Sequence, residues 1–201
     1  MTQATQERKK SFSSFTYKEA FKQLGVSELQ RWSISAEPVP ISDFFRQRLE
    51  RLQRFDLESL EVSKTLLIDA CEEGLEGFER LKVWKGAYLE GEKACGNADY
   101  LIAERRGYLE APFVCVIEAK KDDFEQGTAQ CLVEMQACQW VNQQLGREMT
   151  IYGIVTNGEG WKFYRLAAGA VSLSLLHGIG EMSILLGLLR AFFGLCKQNL
   201  A

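Results

Sequence analysis

The chain has 201 residues, of which 46% are hydrophobic and 11% are aromatic, a composition typical of a globular protein rather than a disordered one. Its formal net charge of −3 and its pI near 5.4 exclude a uniformly basic coat for nucleic acid, although a local basic face is compatible with both. The length favours one domain, or one core domain with a helical extension.

The first part of the chain predicts a polar tail followed by helices. Residues 1–15 are polar, and a short helix is predicted from Tyr17 to about Leu24, where Gly25 ends it. A second helix is predicted near 42–55, after a proline-containing connector. Its four arginines favour a solvated, salt-bridged helix over a phosphate-binding face; they are Arg46, Arg48, Arg51 and Arg54.

From residue 59 the pattern predicts a helix to about Phe78, and strands then take over. The predicted strands are KVWKGAYLEG, ADYLIAER, APFVCVIEAK, MTIYGIVTNG and GWKFYRLA. One helix, at about 124–145, separates the third strand from the fourth, and another, at about 181–197, ends the chain. This order predicts an α/β fold around one mixed sheet. The predicted boundaries are 1–58 for the tail and helical extension and 59–201 for the α/β domain.

The cysteines and the apolar stretches indicate in which cellular compartment the protein is expected. No two of the six cysteines form a CxxC pair, and His177 is the only histidine. We therefore predict reduced core cysteines in a cytoplasmic protein rather than disulfides or a zinc site. The N-terminus lacks a signal-peptide pattern, and the most apolar window, about 182–196, is expected to be too short to span a membrane. No membrane partner is expected.

The third predicted strand ends in opposite charges. FVCVI, residues 113–117, is expected to be buried on both faces, and Glu118 and Lys120 after it share one face. If the preceding hairpin is centred near 108–109, Asp99 lies opposite Glu118, with their Cβ atoms about 5 Å apart. Two carboxylates at that spacing repel each other unless a cation lies between them. The pattern therefore predicts Mg²⁺ or Mn²⁺ held by oxygen ligands, with Lys120 beside it.

Such a group of side chains suits the hydrolysis of a phosphodiester. A metal ion polarises the phosphate and lowers the pKa of an attacking water. A positive side chain orients that water and offsets the charge of the transition state. Asp99, Glu118 and Lys120 together supply both requirements.

These residues resemble a known motif. Asp99 followed by Glu118-Ala119-Lys120 at the end of a buried strand is similar to the D…ExK motif of the PD-(D/E)XK nuclease superfamily. Within it, IEAKKDDFEQGTAQ and IVTNGEGWKFYRL resemble the N-terminal nuclease domain of type I restriction enzyme R subunits and small bacterial relatives. The resemblance covers about residues 59–166. It departs from the motif where Ala98 stands in place of a proline before Asp99.

The resemblance implies a fold and a set of roles. It implies a restriction-endonuclease-like core with the order α-β-β-β-α-β-β, and a metal-dependent nuclease acting on nucleic acid, with DNA expected. Asp99 and Glu118 would be metal ligands and Lys120 the catalytic lysine. Gln130 would be the family's glutamine near the site. A carboxylate from the first helix of the core often completes such a site, and Glu61 is the candidate, with Glu72 as the alternative.

Several alternatives stay open at this point. Glu118 and Lys120 also fit a surface ion pair at the end of a strand, and Gln130 with Gln126 fits a polar helix face. The whole domain fits a non-catalytic nuclease-fold module that binds nucleic acid or supports an assembly. The apolar helix near 184–193 also fits a homodimer contact. A basic rim for a phosphate backbone is conceivable; its candidates are Lys93, Arg105, Arg106 and Lys121.

Overall fold

In the computed structural model, helices pack on both faces of a single mixed sheet. The structure describes residues 9–57, 61–120 and 123–200, without the side chains of 61–63, 71 and 72. The strands of the described part are β1 (Lys10–Ser11), β2 (Gln30–Arg31), β3 (Leu81–Glu90), β4 (Ala94–Glu104), β5 (Phe113–Ala119), β6 (Ile151–Thr156), β7 (Gly160–Ala167), β8 (Ala170–Leu173) and β9 (His177–Gly178). The α-helices are α1 (Tyr17–Leu24), α2 (Asp43–Leu52), α3 (Glu61–Ala70), α4 (Phe124–Gln144) and α5 (Met182–Gln198).

The predicted α/β class and the mixed sheet flanked by helices are confirmed. The five predicted strands correspond to β3 to β7, and the predicted helices correspond to α1 to α5. The helix predicted from residue 59 to Phe78 is shorter, because the chain changes to a 3-10 turn at Cys71–Leu75. The strands β1, β2, β8 and β9 were not predicted. Two of them, β1 and β2, come from the N-terminal part of the chain and join the same sheet.

The sheet has the order β1-β4-β5-β6-β7-β8-β2, with β3 also on β4 and β9 also on β7. The β4–β5 pair is antiparallel and the β5–β6 pair is parallel, with α4 as the connection between β5 and β6. Cys95 pairs with both Ser11 and Glu90, so β1 and β3 lie on opposite edges of β4. β1 and β5 therefore pair with the same edge of β4, and residues 96–99 of β4 form a gap between the two paired segments.

Three helices begin at side chains that satisfy their first backbone N–H groups. Thr16 and Glu19 form a capping box at α1, and Ser42 accepts from the N–H of Phe45 at 3.1 Å in α2. Asp123 accepts from the N–H of Gln126 at 2.8 Å and caps α4.

Two hydrophobic cores lie on the two faces of the sheet. One packs α2, α3 and α5 against residues such as Ile117, Ile154 and Phe163. The other packs α1 and α4 against residues such as Val116 and Val155. Residues 113–117 are buried, as predicted, and so are Glu118 and Ala119, because helices cover β5 on both faces. The strand that ends at Glu118 and Ala119 is thus held rigidly in the centre of the protein.

The C-terminal helix corrects one expectation about length. With the 3-10 turn before it, the stretch Ile179–Gln198 is 20 residues long with a mean hydropathy of 1.7, which by length and composition is enough to cross a membrane. The expectation that it is too short was wrong. Half of the apolar window is buried against the rest of the protein, and Leu185, Leu189 and Phe192 lie in the core. Such burial is typical of a core helix in a soluble α/β protein.

Candidate functional site

The β4–β5 hairpin places Asp99 and Glu118 side by side. Tyr100 pairs with Ile117 and Leu101 with Val116, so the same register, continued by one residue, sets Asp99 opposite Glu118. The predicted centre of the hairpin is therefore confirmed. Asp99 lies in the gap between the β1 and β5 pairings of β4, and its Oδ2 accepts a hydrogen bond of 2.8 Å from the N–H of Ala119. This bond fixes the Asp99 carboxylate against the end of β5.

Glu118 and Lys120 form an ion pair inside the protein rather than at its surface. The Lys120 Nζ atom lies 2.7 Å from Glu118 Oε1, while the Glu118 side chain has 0% exposure and the Lys120 side chain has 20%. The alternative of an ordinary surface ion pair is therefore wrong for Glu118. A buried carboxylate is costly unless it is paired, so this pair and its surroundings are held together as a unit.

Gly127, in the first turns of α4, gives the Lys120 side chain its path. A Cβ atom at Gly127 would lie 2.9 Å from Lys120 Cγ and 2.8 Å from Val155 Cγ1. Both distances are too short for a carbon–carbon contact, so only glycine allows α4 to lie this close to Lys120 and β6. The stem of Lys120 is therefore confined between α4 and the sheet.

Gln130 and Glu134 form a buried polar pair on α4, one turn apart. Gln130 Nε2 donates a hydrogen bond of 3.1 Å to Glu134 Oε1, and the two residues have 5% and 0% exposure. Gln130 Oε1 and Glu134 Oε2 are buried and have no hydrogen-bond partner in the described part of the chain. Gln130 is therefore not on a polar helix face, whereas Gln126 donates to the carbonyl groups of Ser13 and Phe15.

The electrostatics connect Glu134 with the other site residues. Burial, and then the charge of Glu118, raise the pKa of Glu134 well above its ordinary value, and Asp99 raises it further. The hydrogen bond from Gln130 and the charge of Lys120 lower the same pKa to a smaller extent. Glu134 therefore belongs to the electrostatic environment of Asp99, Glu118 and Lys120.

Glu134 is the residue that sequence reasoning missed. It interrupts the apolar run CLVEMQAC on a helix that was expected to face the core, four residues after Gln130. A charged residue in the middle of such a run, at helical spacing from the candidate glutamine, is the sequence signal that could have identified Glu134. The run alone does not show that α4 is covered on two sides, by the sheet and by α1.

The remaining candidates lie elsewhere or outside the described residues. The backbone of Glu61 begins α3, but its side chain, like that of Glu72, is outside the described part, and so is the whole of Lys121. Arg105 follows the end of β4, six residues from Asp99, or about 20 Å along the strand. Arg106 pairs with Glu104 and Glu110 there. The alternative of scattered surface charge therefore fits these two arginines better than a basic rim at the site.

The donor atoms at the site fit a hard divalent cation with few protein ligands. In residues 9–57, 61–120 and 123–200, no group of three or more His, Cys, Asp or Glu side chains is arranged to hold a metal ion. Asp99 and Glu118 supply carboxylate oxygens from neighbouring strands, and Mg²⁺ is commonly held by one or two carboxylates together with several waters. The Oε1 atom of Gln130, which has no hydrogen-bond partner among the described residues, is a further oxygen donor.

Most of the described cysteines lie in the core, as predicted. All five whose side chains are described are free thiols, and four of them, Cys115, Cys131, Cys138 and Cys196, are buried. Burial raises the pKa of Cys131, the cysteine next to Gln130, and the charges of Glu134 and Glu118 raise it further. Its thiol therefore stays protonated at neutral pH and is a poor nucleophile.

Comparison with known proteins does not extend these observations. No protein-family model matches the chain, and no curated protein sequence is significantly similar to it.

Proposed function

We propose that the protein is a Mg²⁺- or Mn²⁺-dependent nuclease that hydrolyses phosphodiester bonds in nucleic acid, with DNA as the expected substrate. The observation that carries the proposal is the convergence of Asp99, Glu118 and Lys120. Two carboxylates stand at opposed positions of neighbouring strands, and an ammonium lies 2.7 Å from one of them. The order α3-β3-β4-β5-α4-β6-β7 supports a restriction-endonuclease-like core, and the buried free cysteines support a cytoplasmic location.

In this proposal the rigid sheet sets the geometry of the site. Asp99 is anchored through the N–H of Ala119, and Glu118 is fixed by the buried strand β5. These two residues would hold the cation. When bound, the cation would polarise the scissile phosphate and lower the pKa of the attacking water.

Lys120 carries the positive charge that the reaction needs. Its stem is confined by Gly127, and one fifth of its side chain is exposed. The ammonium can therefore orient the attacking water and offset the charge that develops on the phosphate. Gln130 and Glu134 lie behind this group in the core and support its arrangement. A homodimer would allow two such sites to cut both strands of a duplex.

The test is the cleavage of labelled single-stranded and duplex DNA, and of RNA, with Mg²⁺ or Mn²⁺. We expect the wild type to cleave and Lys120→Ala to lose ~100-fold or more of the rate, while its urea unfolding curve remains cooperative. Lys197→Ala, which removes an exposed lysine at the end of α5, is the matched control and should cleave like the wild type. Equal cleavage by Lys120→Ala would rule out the assigned role.

A non-catalytic nuclease-fold module is the second candidate function. The observation in its favour is the complete burial of Glu118, because a ligand for a catalytic cation must be reachable by the cation and its waters. Under this alternative the protein binds nucleic acid with or without metal, and neither Mg²⁺ nor Mn²⁺ supports cleavage of any of the substrates. Metal-dependent cleavage that is lost in Lys120→Ala would exclude it.

A further inference from the structure

Exposed aromatic and basic side chains lie on α2 and on the turn that follows it. Phe44 is 71% exposed and Phe55, just after the helix, is 59% exposed; Arg51 and Arg54 are also exposed. Seven residues, close to two whole turns, separate Arg51 from Phe44, so these two side chains share one face of the helix. Arg54 and Phe55 lie in the turn that follows Leu52. We call Phe44, Arg51, Arg54 and Phe55 the α2 stripe.

The two arginines of the stripe take part in no ion pair within the described part of the chain. Arg46, on the same helix, is paired with Asp43 at 2.7 Å, whereas Arg51 and Arg54 form no ion pair with any described residue. The prediction of a solvated, salt-bridged helix therefore holds for Arg46, whereas Arg51 and Arg54 are solvated without an ion pair to a described residue. Both arginines line a depression of about 280 Å³ together with Gln47 and Glu50. Two guanidinium groups against one carboxylate leave this depression positive.

The stripe also borders a groove that reaches the edge of the sheet where the candidate site lies. Phe55 lines this groove of about 530 Å³, together with Lys64 and Leu67 of α3 and Asn157 and Glu159 of the β6–β7 turn. That turn follows β6 directly, and the carbonyl of its neighbour Thr156 accepts from the N–H of Lys120 at 2.9 Å. Because β5 and β6 are parallel, the turn and Lys120 stand at the same edge of the sheet.

We propose that the α2 stripe binds a single-stranded segment of nucleic acid, with phosphates on Arg51 and Arg54 and bases stacked on Phe44 and Phe55. Arginine binds phosphate through a planar fork of donors, and exposed aromatic rings stack unpaired bases regardless of sequence. This choice of ligand rests on the proposed nuclease function, since the groove beside the stripe reaches the edge of the sheet where β5 ends at the candidate site.

The arginines are tested by binding in the absence of metal, so that no cleavage is needed. Fluorescence anisotropy of labelled single-stranded DNA and RNA is measured in EDTA over a range of salt concentrations. We expect Arg51→Gln/Arg54→Gln to bind at least tenfold more weakly than the wild type. The slope of log affinity against log salt should fall by about 1.4, because two phosphate contacts are lost.

The matched control removes the same charge elsewhere. Arg46→Gln/Arg190→Gln replaces two arginines whose guanidinium groups are held in ion pairs with Asp43 and Glu76. It should bind within twofold of the wild type. An equal loss of affinity in both double variants would mean that binding follows net charge alone, and this would overturn the stripe as the site.

The aromatic residues are tested by comparing single strands with duplex. Phe44→Ala/Phe55→Ala should weaken single-strand binding by at least about fivefold per ring, while duplex binding changes little, because paired bases are not available for stacking. Tyr108→Ala removes a ring that is 62% exposed in the β4–β5 hairpin and should change neither. Wild-type protein that binds no single strand, or that instead binds anionic lipid vesicles through the stripe, would overturn the proposal.

The stripe proposal and the nuclease proposal can be rejected independently of each other. Cleavage that is lost in Lys120→Ala but unchanged in the stripe variants would keep the nuclease and overturn the stripe. Single-strand binding that depends on the stripe, in a protein that neither binds Mg²⁺ nor cleaves, would keep the stripe and overturn the nuclease.

Discussion

At the scale of single residues, the candidate site is a charged group that the fold keeps almost entirely out of water. Glu118 and Glu134 are fully buried, and Lys120 is the one member of the Glu118–Lys120 pair with access to solvent. Buried charges are stable only where partners and geometry are fixed. The site should therefore respond sharply to small changes in the side chains around it.

Gly127→Ala tests the confinement of Lys120. In a helix, alanine is favoured over glycine by about 1 kcal/mol, but here its Cβ would clash with Lys120 Cγ and Val155 Cγ1. Overpacking of this kind costs about 1–3 kcal/mol, so we expect a net loss in the free energy of unfolding by urea. Gly107→Ala, where a Cβ would meet no atom within 4 Å, should change stability by less than about 0.5 kcal/mol. Stabilisation by Gly127→Ala would contradict the close approach of α4 to Lys120.

Glu134→Gln tests the buried carboxyl group through pH. Folding raises the pKa of Glu134, so the unfolded chain loses this proton at a lower pH than the folded chain. The free energy of unfolding should therefore fall as pH rises above about 4.3, by at most about 1.4 kcal/mol per pH unit, until the folded pKa is passed. We expect urea unfolding in EDTA to show a larger fall between pH 5 and pH 8 in the wild type than in Glu134→Gln. Parallel curves would show that Glu134 does not titrate as inferred.

At the scale of elements, α4 is the platform that holds the site against the sheet. The helix begins after its cap, Asp123, and Gly127 in its first turns lies against Lys120. Further along it carries Gln130 and Glu134, and the charge of Glu118 acts on the Glu134 carboxyl group. At its far end Asn142 binds back to the start of β5: its Oδ1 accepts from the N–H of Phe113 at 2.9 Å, and its Nδ2 donates to the carbonyl of Phe113 at 2.7 Å. Both ends of β5 are thereby tied to the same helix.

Asn142→Leu tests this attachment. The substitution leaves the buried N–H and carbonyl groups of Phe113 without their partner, and each such group costs about 1–3 kcal/mol. We expect the free energy of unfolding to fall by ~2–5 kcal/mol in urea titrations. Gln144→Ala, at an exposed position two residues further along the same helix, should be nearly neutral. A small effect of Asn142→Leu would mean that water replaces the lost hydrogen bonds.

Most elements could be predicted from sequence because their patterns are local. Apolar alternation and turn residues located β3 to β7, and apolar residues at helical spacing located α4 and α5. β1, β2 and β9 are two residues long and β8 is four, so they carry no periodicity of their own and exist only through pairing with β4, β7 and β8. Tertiary contacts define such strands, and no window of sequence contains those contacts.

At the scale of the whole molecule, the sheet brings residues from distant parts of the chain to one edge. Asp99 and Glu118 could be predicted as neighbours, because a hairpin with a recognisable turn fixes its own register. Glu134 could not be placed, because its position depends on the burial of α4 between the sheet and α1. The stripe on α2 could not be separated from ordinary surface charge, because the sequence does not show which arginines have partners.

The central claim is that Asp99 and Glu118 together bind a divalent cation, and calorimetric titration of Mn²⁺ and Mg²⁺ into the purified protein tests it most directly. We expect saturable binding in the submillimolar range that is weakened at least tenfold in Asp99→Asn and in Glu118→Gln, since each variant removes one of two carboxylate ligands. Glu110→Gln, an exposed carboxylate at the far end of the same hairpin, should bind like the wild type. Binding only above the millimolar range, or equal binding by all four proteins, would contradict the claim.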